Sequence, residues 1–165
     1  NPVSAINKLL ANFNRKMTQS LRDKIDQSGY SMREILTIAS LIEKEAANND
    51  ERGKISSVIH NRLNSKNLRL LQIDATIQYV LPERKGLLTR EDTLIDSPYN
   101  TYKYEGLPPG PICNPGIASI KAALNPDDTK FYYYALTEEG VHAFSRTAEE
   151  HQKVIEANPG VYGGR

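Results

Sequence analysis

The chain has 165 residues, enough for one domain with its own core, and carries a formal net charge of +1. Apolar residues make up 39% and charged residues 25%, an ordinary balance for a globular fold. Near-neutral charge gives no argument for nucleic acid or an acidic membrane surface as partner, and the lone cysteine, Cys113, excludes an internal disulfide or a cysteine-based metal site.

Ile6, Leu9, Leu10, Phe13, Met17, Leu21 and Ile25 keep helical spacing and predict one long helix ending near Gly29. Ser31 and Glu34 form an S-x-x-E capping box, so a second helix runs from Ser31 to about Ala47. A third starts near Asp50 and buries Ile55, Val58, Ile59 and Leu63. Leu68 to Ile73 reads as extended, Asp74 as the cap of a short helix to Leu81, and Thr89 as the cap of another through Leu94. Prolines and glycines from Ser97 to Gly116 predict an ordered loop. A short helix follows over Gly116 to Leu124. Phe131 to Leu136 and Val141 to Ser145 form a hairpin about Glu138-Glu139-Gly140, and Thr147 caps a last helix to about Ala157. The sum is a mostly helical α+β domain with one small antiparallel β-hairpin.

No run of 18 apolar residues occurs, and His60, His142 and His151 lack metal-ligand spacing. Neither a metal nor another cofactor is expected. The chain begins Asn1-Pro2, as a piece cut from a longer protein would, so an anchor or leader is expected outside it.

Chemistry concentrates in Leu41-Ile42-Glu43-Lys44-Glu45-Ala46, in the middle of the strongly apolar second helix. On a helical wheel Glu45 borders the apolar stripe beside Ile38, Leu41 and Ile42, and Glu43 lies on the opposite border. Residues two apart do not face each other on a helix, so the two carboxyls serve different surfaces. A carboxyl against apolar groups is pushed toward its neutral form, the form that donates protons. Glu45 is thus the candidate acid and Glu43 the candidate scaffold residue. The alternative, two solvated border residues, stays open at this point.

An ordered series of strings follows Glu45: Ser57-Val58-Ile59-His60-Asn61-Arg62, Leu71-Gln72-Ile73-Asp74, Tyr99-Asn100-Thr101-Tyr102, Gly106-Leu107-Pro108-Pro109-Gly110 and Asn114-Pro115-Gly116. The series resembles the endolytic murein transglycosylase family, the YceG-like proteins, over about Leu36 to His151. Cys113 and Ile73 depart from the family's pattern. The resemblance implies a lysozyme-like catalytic helix, with residues 31–165 as the catalytic domain and 1–30 as a lead-in helix. It also implies cleavage of the β-1,4 bond between N-acetylmuramic acid and N-acetylglucosamine, leaving 1,6-anhydro ends. One carboxyl, Glu45, would act as acid and then as base.

Asn61, Gln72, Tyr99, Asn100, Thr101, Tyr102 and Asn114 carry groups suited to sugar hydroxyls and acetamido groups, and are the expected substrate contacts. The 97–116 loop is expected to line the groove. The implied setting is the outer face of a bacterial cell membrane, with peptidoglycan strands and peptidoglycan synthases as partners and no nucleic acid. Two rivals remain: a lysozyme-like hydrolase pairing Glu45 with Asp74, and a glycan-binding module without catalysis. Arg62, as a carboxylate binder or a surface ion pair, stays undecided.

Overall fold

The computed structural model describes residues 1–162. Its helices are α1 (Pro2–Lys16), α2 (Gln19–Ser28), α3 (Met32–Glu45), α4 (Arg52–Leu63), α5 (Asp74–Val80), α6 (Ile117–Leu124), α7 (Ala148–Glu156) and α8 (Pro159–Tyr162). Strands β1 (Tyr133–Leu136) and β2 (His142–Ser145) pair antiparallel between α6 and α7. The mostly helical α+β reading therefore holds. Among the described residues no helix is long and apolar enough to cross a membrane.

Helix α3 is the centre of the core. Its capping box forms, with Ser31 Oγ accepting from the Glu34 N–H and the Glu34 carboxylate accepting from the Ser31 N–H. Ile35, Ile38, Leu41 and Ile42 are fully buried along it. Each such side chain contributes about 1.5–3 kcal/mol of transfer free energy, so this helix is the element least free to move. It packs on α4 and α6, and Ile55, Ile59 and Ile120 close the same cluster.

The single long N-terminal helix is not found. The chain breaks at Met17, whose ψ of 74° is not helical, and Thr18 restarts it by capping α2 through its hydroxyl. The break lets Met17 turn into the core with Leu21 and Ile25. Ile6, Leu9 and Leu10, on the far side of the break, stay exposed. A regular apolar spacing thus covers two segments with different fates, because Thr competes for a capping position that periodicity ignores.

The hairpin is held against α4 by two side chains. Asn61 Nδ2 donates to the carbonyls of Thr129 and Phe131, each at 2.9 Å. Arg62 Nε donates to the Tyr132 carbonyl at 2.6 Å. In register, Tyr134 faces Phe144 and Leu136 faces His142. Gly140 turns the hairpin at φ 77°, a conformation open to glycine at little cost.

The 97–116 loop is ordered from within. Asn100 is fully buried; its amide donates to the carbonyls of Thr93 and Ile95, and its Oδ1 accepts the Tyr102 N–H. Thr101 Oγ1 accepts the Ile73 N–H, and the Thr101 carbonyl accepts the Gln72 N–H. The loop thereby fixes the 71–74 segment, which leads into the site.

Candidate active site

Glu45 is the last residue of α3, not a mid-helix residue. Its carboxyl reaches a cleft of about 340 Å³ between the 71–74 segment and the hairpin. Tyr134 Oη donates to Glu45 Oε2 at 2.9 Å. Burial raises the Glu45 pKa to about 7; the Tyr134 hydroxyl and the Ala75 N–H pull it down, and the negative charge of Asp74 pushes it up. The C-terminal end of a helix adds a potential unfavourable to an anion there. Near neutral pH the carboxyl is about half protonated, so it can give a proton and take one back. Its partner responds in kind: burial first, then the Glu45 charge, lifts the Tyr134 pKa well above the ordinary value, so this hydroxyl stays a donor.

Across the cleft, Tyr102 Oη donates to Asp74 Oδ1, and both residues line the cavity. Asp74 opens α5, but the capping position belongs to Ile73 rather than to Asp74. Arg62 is buried and bonded to neutral oxygens. Besides Tyr132, its Nη1 donates to the Leu70 carbonyl at 2.7 Å and to Gln72 Oε1 at 3.1 Å, and its guanidinium lies 4.8 Å from the Tyr133 ring centre. It is neither a surface residue nor in an ion pair with any described carboxylate. Gln72 stands at the cleft edge with φ 54°, the only left-handed non-glycine among the described residues.

Glu43, on the other face of α3, meets different neighbours. Its Oε2 accepts from Ser119 Oγ at 2.6 Å, the Gly116 N–H at 3.2 Å and Arg52 Nη1 at 3.4 Å. The Ser119 hydroxyl first, with the Gly116 N–H and the Arg52 charge, holds this carboxyl below its usual range against the opposing effect of burial. It ties α3 to α6 and stays ionised.

The YceG-like family profile matches residues 1–157. The chain belongs to the YceG-like family. It is 42% identical over 138 residues to the endolytic murein transglycosylase of Bacillus subtilis (strain 168), covering 84% of this chain and 38% of that protein. It is 31% identical over 158 residues to the endolytic murein transglycosylase of Streptococcus pneumoniae serotype 2 (strain D39), covering 92% of this chain and 28% of the relative. A crystal structure of a YceG-like protein from Listeria monocytogenes superposes with a TM-score of 0.83 at 43% identity, covering 90% of this chain and 48% of that one. The chain thus spans less than half the length of the relatives it matches.

Within this YceG-like domain the residues singled out in the sequence separate into two groups. Glu45, Gln72 and Tyr102 line the cleft together. Asn61, Asn100 and Thr101 turn their polar groups inward as described, and Tyr99 packs on Tyr79 with ring centres 4.9 Å apart. Asn114 is exposed at the Glu43 end of the molecule, next to the loop that caps α6. The 97–116 loop supplies the cavity wall through Tyr102 alone. The opposite wall is the hairpin and α7, with Tyr132, Tyr133, Tyr134, His142 and His151. The tyrosine-rich strand was the available signal for this wall. Its aromatic content predicts a strand, and Asn61 and Arg62 of α4, which hold the Phe131 and Tyr132 carbonyls, fix its place beside Glu45.

Proposed function

We propose that this domain is a lytic transglycosylase of peptidoglycan, cleaving the β-1,4 bond between N-acetylmuramic acid and N-acetylglucosamine. Neutral Glu45 donates its proton to the glycosidic oxygen as the C1–O4 bond breaks, releasing the N-acetylglucosamine hydroxyl. The acetamido oxygen of the muramic residue supports the electron-poor C1. Glu45, now a carboxylate, removes the proton of the muramic 6-hydroxyl while O6 bonds to C1. The ring closes as a 1,6-anhydro sugar, Glu45 recovers its proton, and no water is consumed. Gln72 and Tyr102 are the proposed strand contacts, with the tyrosines of β1 offering flat faces to sugar rings.

The observation that carries this reading is the Glu45 carboxyl, poised at a pKa of about 7 in an open cleft. One carboxyl that changes protonation state twice suffices for anhydro-ring closure, and general acid catalysis alone supplies about 10²- to 10⁴-fold in rate. Membership of a family whose relatives are named endolytic murein transglycosylases supports the same substrate. The setting this implies is extracytoplasmic, at the cell wall, where peptidoglycan synthases are the natural neighbours.

A second reading rests on Asp74, which shares the cleft and whose charge is felt at Glu45. Two carboxyls flanking a scissile bond are the equipment of a hydrolase. Digesting purified glycan strands and weighing the products decides between them. Anhydro ends, one water lighter than reducing ends, are expected. Reducing ends would transfer the assignment to the hydrolase, and full cleavage by Glu45→Gln would remove Glu45 from either mechanism.

A further inference from the structure

His142 presents a further polar group to the cleft. Glu51, itself buried, accepts from the His142 backbone N–H at 2.7 Å through Oε1 and from His142 Nδ1 at 2.9 Å through Oε2. The Ala47 N–H also donates to Oε2, at 3.2 Å. Burial works against the charge on Glu51, but the His142 side-chain and backbone donors outweigh it and hold the carboxyl below its usual range. An ionised carboxylate only accepts, so Nδ1 carries the hydrogen of the imidazole and Nε2 of the neutral ring is left as an acceptor.

The ring cannot turn without giving up Glu51. Its orientation is fixed further by the Tyr134 ring, which it meets edge to face at 5.4 Å between centres. Tyr134 is the same residue that donates to Glu45. His142 lines the cleft, and its side chain is only 9% exposed. Among the described residues His151 Nδ1 is the one sealed side-chain nitrogen or oxygen without a partner, so His142 Nε2, which no described group engages, is not sealed, and its residue lines the cleft. A locked acceptor in a cleft is useful only to a ligand that brings a donor there.

We infer that His142 is a substrate-contacting residue that accepts, at Nε2, a hydrogen bond from a hydroxyl or acetamido N–H of the aminosugar strand, with Glu51 as its positioning residue. The inference rests on the aminosugar-strand reading above but not on which bond-breaking chemistry follows. It needs no charge on the imidazole and moves no proton.

Two replacements separate contact from scaffolding. Asn reproduces the Nδ1 position and can still donate to Glu51, but has nothing at Nε2; Gln reproduces the Nε2 position and cannot reach Glu51 in the same way. On the full chain, His142→Asn is expected to melt close to the unaltered protein while kcat/KM on glycan strands drops about tenfold, the cost of an unpaired donor in a polar site. His142→Gln is expected to recover part of that loss, to about threefold below the unaltered protein. The reverse order, Asn active and Gln impaired, would make His142 a brace for Glu51 and overturn the inference, as would equal activity in all three. Should both variants unfold, ring ¹⁵N spectra of Glu45→Gln, titrated with a muramyl oligosaccharide, give the answer. An Nε2 shift on binding is expected, and a silent Nε2 in a bound complex defeats the assignment. Cleavage to reducing ends would overturn only the transglycosylase reading, because the Asn and Gln comparison needs no more than a cleaved strand.

Discussion

Glu43 and Glu45 stand two residues apart on one helix and occupy opposite electrostatic worlds. Glu43 has a hydroxyl, an N–H and a guanidinium around it, and its pKa falls. Glu45 has one phenol and one N–H to set against burial and a neighbouring carboxylate, and its pKa rises to about 7. The helical repeat alone sends them apart; the surfaces that close over α3 then keep one carboxyl ionised and let the other hold its proton.

The contrast is broken most severely by exchanging the roles. Glu45→Gln is expected to lower strand cleavage by about 10²- to 10⁴-fold, read as kcat/KM by product chromatography, whereas Glu43→Gln leaves the rate per folded molecule within a few-fold. Equal losses in the two variants would erase the distinction.

Stability should run the other way. Folded Glu45 keeps its proton to about pH 7, while an ordinary carboxyl releases it near 4.5. Between those values the folded state binds more protons, so stability falls as pH rises, and the deficit is complete above pH 7 and absent below 4.5. Glu45→Gln is therefore expected to gain up to about 3 kcal/mol at pH 8 and little at pH 4 in denaturant melts. Glu43→Ala should instead lose about 1–2 kcal/mol at neutral pH, since Ser119 and Arg52 lose an acceptor, and its melting temperature should fall by about 2–6 °C.

The finest adjustment comes from Tyr134. Removing its hydroxyl in Tyr134→Phe takes away a group that lowers the Glu45 pKa, so the alkaline limb of the pH–rate profile moves upward. The rate at its optimum changes only by about threefold. A limb that stays in place would mean another group sets it.

Much of the contrast was visible in the sequence. The capping box located α3, and helical periodicity put the two carboxyls on opposite borders and favoured Glu45 as the acid. The hairpin and its turn were legible from aromatic content and Gly140. The cleft wall was not, because which face of β1 meets Glu45 depends on Asn61 and Arg62 of α4 capturing carbonyls about 70 positions away. Tyr-Asn-Thr-Tyr stood out as an unusual string, yet three of its four members serve packing or loop hydrogen bonds. A conspicuous motif reports constraint without reporting direction. The break at Met17 escaped periodicity because one residue of non-helical backbone leaves the apolar spacing intact.

The left-handed backbone of Gln72 carries a further lesson. A side chain in that conformation costs about 1–2 kcal/mol that glycine would not. Gln72→Gly would shed the torsional penalty but also the amide oxygen that meets the buried Arg62 guanidinium, so the two effects oppose each other. The twisted backbone at residue 72 is thus the counterpart of a guanidinium moored beneath the hairpin.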